Sequence, residues 1–170
     1  MGGVRFQRGN FVVANIEKSL EFYRDILGFD VAFMKESKSD SYSYPVFEIP
    51  RDRKMRFAVL STETQPRVMA LTEVEGPVEA VPHPRRSAIV LEMPDLDTVL
   101  ERSRTSGLLV YPEERLVTQD GRVGREVGIV DRDDNLVVLY WITNNVLSIA
   151  QQWLINTRMG VPPQYNLPKF

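Results

Sequence analysis

Residues 10–29 read NFVVANIEKSLEFYRDILGF, and this stretch decides the architecture. Phe11 to Ala14 is an apolar run suited to a strand buried on both faces. Asn15 can then cap a helix, its side-chain oxygen accepting from backbone N–H groups of the first turn. Ile16, Leu20, Tyr23 and Leu27 follow at spacings of four, three and four, which places them on one helical face. Gly28 supplies the left-handed residue that stops the helix. Phe29 to Met34 reads as the next strand.

The same order recurs at residues 89–108, IVLEMPDLDTVLERSRTSGL. Laying Asn15 on Asp95 brings Ile16 onto Leu96 and Leu20 onto Leu100, and one deletion brings Gly28 onto Gly107. Each copy is an apolar strand, a polar cap, an amphipathic helix and a glycine stop. An internal repeat of this kind implies two pseudo-symmetric halves with a site between them.

Outward from the repeats, Arg56–Ser61 and Val68–Thr72 are expected to be a strand pair joined by TETQP. Residues 35–54 are polar and are expected to be an insertion or long hairpin loop around a short VFEI run. Gly76 to Arg86 carries three prolines and reads as the linker between the halves. Leu109–Tyr111, Glu126–Val130 and Leu136–Trp141 are expected strands, with the turn DRDDN joining the last two. Residues 146–158 (VLSIAQQWLINTR) form an expected extra helix, stopped by Gly160 and the prolines that follow.

Composition narrows the function classes. Of 170 residues, 43% are hydrophobic and 26% charged, as in an ordinary globular chain with a real core. A formal net charge of -2 gives no reason to expect a nucleic-acid or membrane partner. With no cysteine, disulfides, thiolate metal sites and cysteine nucleophiles are excluded. No long apolar run marks a secretion signal, and Phe6 stands where a myristoylation motif wants Ser or Thr. The chain is therefore expected to be cytoplasmic. The only histidine, His83, lies in the linker and reads as a solvated loop residue rather than a ligand. Asp131, Asp133 and Asp134 could attract a hard cation, but capping a tight turn is the favoured role.

Two segments carry a family resemblance. ANIEKSLEFYRDILGF is similar to the opening helix of the vicinal-oxygen-chelate superfamily, D-x-x-x-S-x-x-F-Y-x-x-x-L-G-F, through Ser19, Phe22, Tyr23, Leu27, Gly28 and Phe29. GREVGIVDRDDNLVVLYWI resembles its closing hairpin, which usually contains D-P-D-G-N. That superfamily includes glyoxalase I, extradiol dioxygenases and bleomycin-resistance proteins. The resemblance implies an α+β fold in which two tandem βαβββ modules form an open, cup-shaped mixed β-sheet. It implies a domain over 1–143, with modules at about 6–75 and 86–143 and a helical extension at 144–170. It also implies a homodimer.

Metal-dependent members take one ligand, usually His or Gln, Glu, His and Glu, from each of four strands. The resemblance puts those positions at Arg8, Ala70, Ala88 and Val138. A guanidinium repels a divalent ion, and three hydrocarbon side chains offer it no donor. The cup is therefore expected to hold no metal and no other cofactor. Alternation along the strands then points Arg8, Asn10, Thr72, Glu92 and Tyr140 inward as ligand-binding residues in a mostly apolar lining. Arg8 would favour an anionic ligand, unless it points to water at a fraying edge or pairs with Glu92. Tyr42, Tyr44 and Trp141 could add stacking surface or serve as packing.

The expected function is binding of a small aromatic or anionic molecule without a metal, as in antibiotic-sequestering members. The alternative is a metal-independent enzyme that uses Arg8 electrostatically and Glu73, Glu92 or a tyrosine for proton transfer. A metal-dependent lyase or dioxygenase would need non-standard ligands, and a structural dimerisation module also stays open.

Overall fold

The computed structural model describes residues 4–119 and 121–142. The first half contains β1 (Gly9–Val13), α1 (Ile16–Tyr23), β2 (Asp30–Glu36), α2 (Ser43–Val46), β3 (Met55–Ser61) and β4 (Met69–Val74). Its sheet runs β1-β4-β3-β2, with β1 parallel to β4 and the other pairs antiparallel. The second half contains β5 (Ala88–Glu92), α3 (Leu96–Thr105), β6 (Leu109–Val110), β7 (Glu114–Val117), β8 (Val123–Val130) and β9 (Leu136–Ile142). Its sheet runs β5-β9-β8-β6, again with the first and last strands parallel, and β7 also pairs with β8. The fold is α+β, with two mixed sheets that stay open.

Local chemistry accounts for the two longer helices, α1 and α3. Asn15 Oδ1 accepts from the Lys18 N–H at 3.0 Å, and Asp95 Oδ1 accepts from Thr98 at 3.2 Å. Regular α1 ends at Tyr23, before the expected Leu27, because Asp25 and Leu27 donate to carbonyls five residues back and widen the last turn. Leu27 stays buried, and Gly28 turns the chain at φ +82°. Gly107 does the same for α3 at φ +73°. There Leu108 donates to Ser103 and Gly107 to Arg104, the paired bonds of a Schellman ending.

One core joins the halves. It takes Leu20, Phe22 and Tyr23 from α1, Leu96, Val99 and Leu100 from α3, and the helix-facing strand residues Val13, Leu60, Leu71, Ile129, Val137 and Leu139. At its edge β1 and β5 lie side by side, since a Cβ on Gly9 would sit 3.6 Å from Ile89. The turn after β8 reaches across to α1: Tyr23 Oη donates to Asp131 Oδ2 at 2.8 Å, deep in the interior. Asp133 accepts from the Ala14 N–H at 2.8 Å and from Ser19 Oγ at 3.2 Å.

The structure adds detail to the expectations and limits one of them. Within residues 35–54, β2 continues to Glu36, and Val46 closes α2, whose first turn accommodates Pro45 because no N–H is needed there. Glu48 then takes φ +55°, which reverses the chain. Strand β7 was not anticipated; it continues the β6 ladder after Pro112, which has no N–H to donate. The helix expected at 146–158 and the 144–170 extension lie outside the described residues.

Candidate functional site on the open face of the sheets

α1 and α3 cover one side of the two sheets; on the opposite side of the first sheet Tyr44 of α2 and Ile49 pack on Val12, Met55 and Val74, whereas the opposite side of β5 is open, with Val90 exposed. In the first half, register pairs Asn10 with Ala70 and Val12 with Thr72. Phe57 lies beside Thr72, and Val59 beside Ala70. In the second half, Ala88 pairs with Leu136, Val90 with Val138 and Glu92 with Tyr140. Neighbours across a ladder share a face. Ala70, Ala88 and Val138 therefore occupy the side away from α1 and α3, while Arg8 lies just before β1, outside the ladder. These four side chains do not fit a divalent ion: three are hydrocarbon and one is cationic. Among the described residues, no three His, Cys, Asp or Glu side chains converge to hold one.

The candidate residues fall into two pairs on different sheets. Thr72, 2% exposed, donates from Oγ1 to Asn10 Oδ1 at 3.0 Å. Glu92 and Tyr140 stand side by side and line a cleft of about 860 Å³ with Gln65, Val90 and Trp141. A second cleft of about 350 Å³ lies between β1, β4 and β5, lined by Gly9, Val68, Ala88 and Val90. The two share Phe29, Gln65, Val90 and Leu91, so they form one groove along the seam between the halves. Arg8 is half-buried and lines neither cleft. Among the described residues it makes no ion pair with Glu92; in the first half Arg24 and Arg56 are paired, and Glu21 pairs with Arg132 of the second half.

Other candidate residues hold the fold together. Glu73 lies on the helix side, where Oε2 accepts from the Ile16 N–H at 2.6 Å and the carboxylate chelates Arg56 at 2.7 and 2.8 Å. The Arg56 hydrogen bonds hold its carboxyl below the usual glutamate range. Asp131 accepts from Tyr23, from the Asp133 N–H and from Asn135; burial still raises its carboxyl above the ordinary aspartate value. Burial first, and Asp131 second, push the Tyr23 phenol well up. Asp134 pairs with Arg85 of the linker, which also bonds the Tyr111 hydroxyl. All three aspartates are thus used by the turn and its neighbours. Tyr44 is packed against Met55 and Val74 with its hydroxyl donating to Arg53, Tyr42 is exposed, and Trp141 packs on the shared core.

Sequence reasoning missed Phe33 and Phe57. Their rings meet edge-on at 5.9 Å, with Lys35 Nζ 5.3 Å from Phe57 and 5.7 Å from Phe33. Arg67 reaches the Phe33 ring at 6.0 Å. Period-two alternation on β3 would have found Phe57 from Val59, whereas a bulge between Val31 and Phe33 hides the facing of β2.

Comparison with known proteins bears on this geometry. The family model for the Glyoxalase/Bleomycin resistance protein/Dioxygenase superfamily matches residues 5–139. The chain belongs to this superfamily. Solved superfamily folds align over nearly their whole length. A glyoxalase family protein from Bacillus cereus is 13% identical, covering 84% of this chain and 96% of its own, with a TM-score of 0.65. An antibiotic binding protein from Streptomyces sp. CB03234 is 19% identical, covering 84% and 99%, with a TM-score of 0.54. At such identities the likeness is one of fold. A different match joins 25 residues, 15% of this chain, at 64% identity to the membrane protein insertase YidC of Janthinobacterium sp.. The chain spans 4% of that protein's length, and no helix among the described residues is long and apolar enough to cross a membrane.

Proposed function

We propose that this chain is a metal-independent small-molecule-binding member of the superfamily, holding a small aromatic or anionic ligand on the open side of its sheets. One observation carries the reading. At the positions where the superfamily resemblance puts the ligands of metal-dependent members, this chain carries Arg8, Ala70, Ala88 and Val138, and none of these side chains can donate to a divalent ion. What remains is a groove of mixed lining, in which Val68, Ala88 and Val90 stand beside Gln65, Glu92 and Tyr140, so that it offers a small molecule both apolar contact and hydrogen-bonding partners. The antibiotic-binding relative of similar fold supports sequestration as the role. Glu92 and Tyr140 orient the ligand within the groove; the Asn10–Thr72 pair, outside the two clefts on the first sheet, and Arg8 just before β1 offer further polar contacts to a ligand that extends that way. We further propose a cytoplasmic homodimer, to be checked by light scattering.

The test is calorimetric titration of a panel of aromatic and anionic small molecules into chelator-treated protein, repeated on Tyr140→Ala and Asn10→Ala. The expected result is saturable binding at one ligand per chain, weakened at least tenfold in one of the variants. Binding that ignores both variants, or a panel with no saturable member, overturns the reading. Conversion of a bound compound to product during the titration would favour the metal-independent enzyme instead.

A further inference from the structure

The two halves share a fold but carry opposite chemistry on their open sides. Aligning the halves by their parallel ladders, Val12–Thr72 corresponds to Glu92–Tyr140. Continuing outward, the first half reads Val12, Thr72, Phe57, Lys35 across four strands. The second half reads Glu92, Tyr140, Glu126, Glu114. One wall is aromatic and cationic where the other is acidic.

The first wall is completed by Phe33 and Arg67. Lys35 and Arg67 converge on one aromatic pair, at 5.3–6.0 Å from the ring centroids. Cation–π attraction holds each in place. Among the described residues neither has a carboxylate within ion-pair distance, while Arg56, Arg85 and Arg125 each have one. Two cations without a counter-charge, both reaching the half-buried Phe33 ring, leave a demand for an anion beside an edge-on aromatic pair. The Asn10–Thr72 pair, beside Phe57 on the same side, adds a polar inner end to the shelf.

We propose that Phe33, Phe57, Lys35 and Arg67 form a subsite for a planar aromatic anion, an aryl carboxylate in the first instance. The ring system packs on the surface of the edge-on Phe33–Phe57 pair that the cations leave uncovered, and its carboxylate pairs with the Lys35 ammonium or the Arg67 guanidinium. The acidic row on the other half repels the same charge, so the ligand's anionic end is directed to the first wall. This deepens the small-molecule reading above and rests on it.

The probes are 2-naphthoate, neutral 2-naphthalenemethanol and cationic 2-naphthylmethylammonium, titrated by calorimetry into the full chain and into the Lys35→Gln/Arg67→Gln variant. Both replaced side chains are exposed, and an unchanged melting temperature verifies the fold. The subsite predicts that naphthoate binds the parent protein at least tenfold more tightly than the alcohol. It also predicts that the double variant loses that preference while keeping its affinity for the alcohol, and that added salt weakens only the naphthoate. Equal affinity for all three probes, or a preference for naphthoate that survives the double variant, overturns the subsite and leaves small-molecule binding standing. Failure of all three to bind overturns the subsite too; the wider ligand panel then decides the broader reading separately.

Discussion

Removing a single oxygen tests how the two halves are locked. Tyr23 on α1 is fully buried, and its hydroxyl donates to Asp131 Oδ2 at 2.8 Å across the shared core. In Tyr23→Phe, Oδ2 keeps only the Asn135 Nδ2 donor at 3.0 Å, and with Asp131 6% exposed water has little access to replace the loss. A hydrogen bond to a buried charge contributes about 2 kcal/mol, so the variant should unfold roughly 30-fold more readily. With a urea slope of about 1.5–2 kcal/mol per molar, the midpoint should fall by roughly 1 M. The effect should depend on pH with a definite sign. Burial raises the folded-state carboxyl of Asp131, so its buried charge penalises folding at neutral pH and that penalty eases as pH falls through the raised value. Losing the Tyr23 donor raises it further. The gap between parent and variant should therefore be largest at neutral pH and narrow on acidification. Urea melts of the parent, Tyr23→Phe, Asp131→Asn and the double variant would supply a double-mutant cycle. Coupling below about 0.5 kcal/mol, or a gap that widens in acid, would refute the reasoning.

Three further outcomes follow from the packing. Glu73→Gln should cost about 1 kcal/mol, a figure held down by the partial exposure of Arg56. Because Glu73's carboxyl is held below the ordinary 4.5, its contribution is present above that value and lost as pH falls through the depressed one. The difference from the parent in thermal melts should thus vanish in acid. Leu71→Ala, at a fully buried position on the helix side, should cost about 2–5 kcal/mol, whereas Val90→Ala, 59% exposed on the open side, should change stability by less than about 0.5 kcal/mol. Equal losses in chemical denaturation would mean the two sides are misassigned. Gly128→Val should cost about 1–3 kcal/mol, because a Cβ there meets the Tyr111 ring at 3.0 Å; a melting temperature unchanged from the parent would count against that contact.

Legibility in the sequence followed the range of the interaction. The caps Asn15 and Asp95 and the stops Gly28 and Gly107 act within one turn, so residue type and spacing sufficed. Alternation also separated Ala70 and Thr72 from Leu71, and the same parity assigns Glu73 to the helix side, away from ligand chemistry. Parity fails where a bulge intervenes: Val31 and Phe33 are two residues apart, yet Val31 packs on the core and Phe33 turns to the open side. Contacts over long sequence separation, such as Tyr23 with Asp131, leave no local trace. Nor does alternation say how far one sheet's face stands from the other's, so the joint role of Asn10 and Thr72 with Glu92 and Tyr140 is decided by the Tyr140→Ala and Asn10→Ala titrations.

The most direct test of the account is the affinity of one bound ligand, measured on a single preparation as purified, after exhaustive chelation, and after addition of zinc, nickel or manganese. Arg8, Ala70, Ala88 and Val138 predict one dissociation constant throughout and no stoichiometric metal in elemental analysis. Binding that disappears with the chelator and returns with a divalent ion would contradict it.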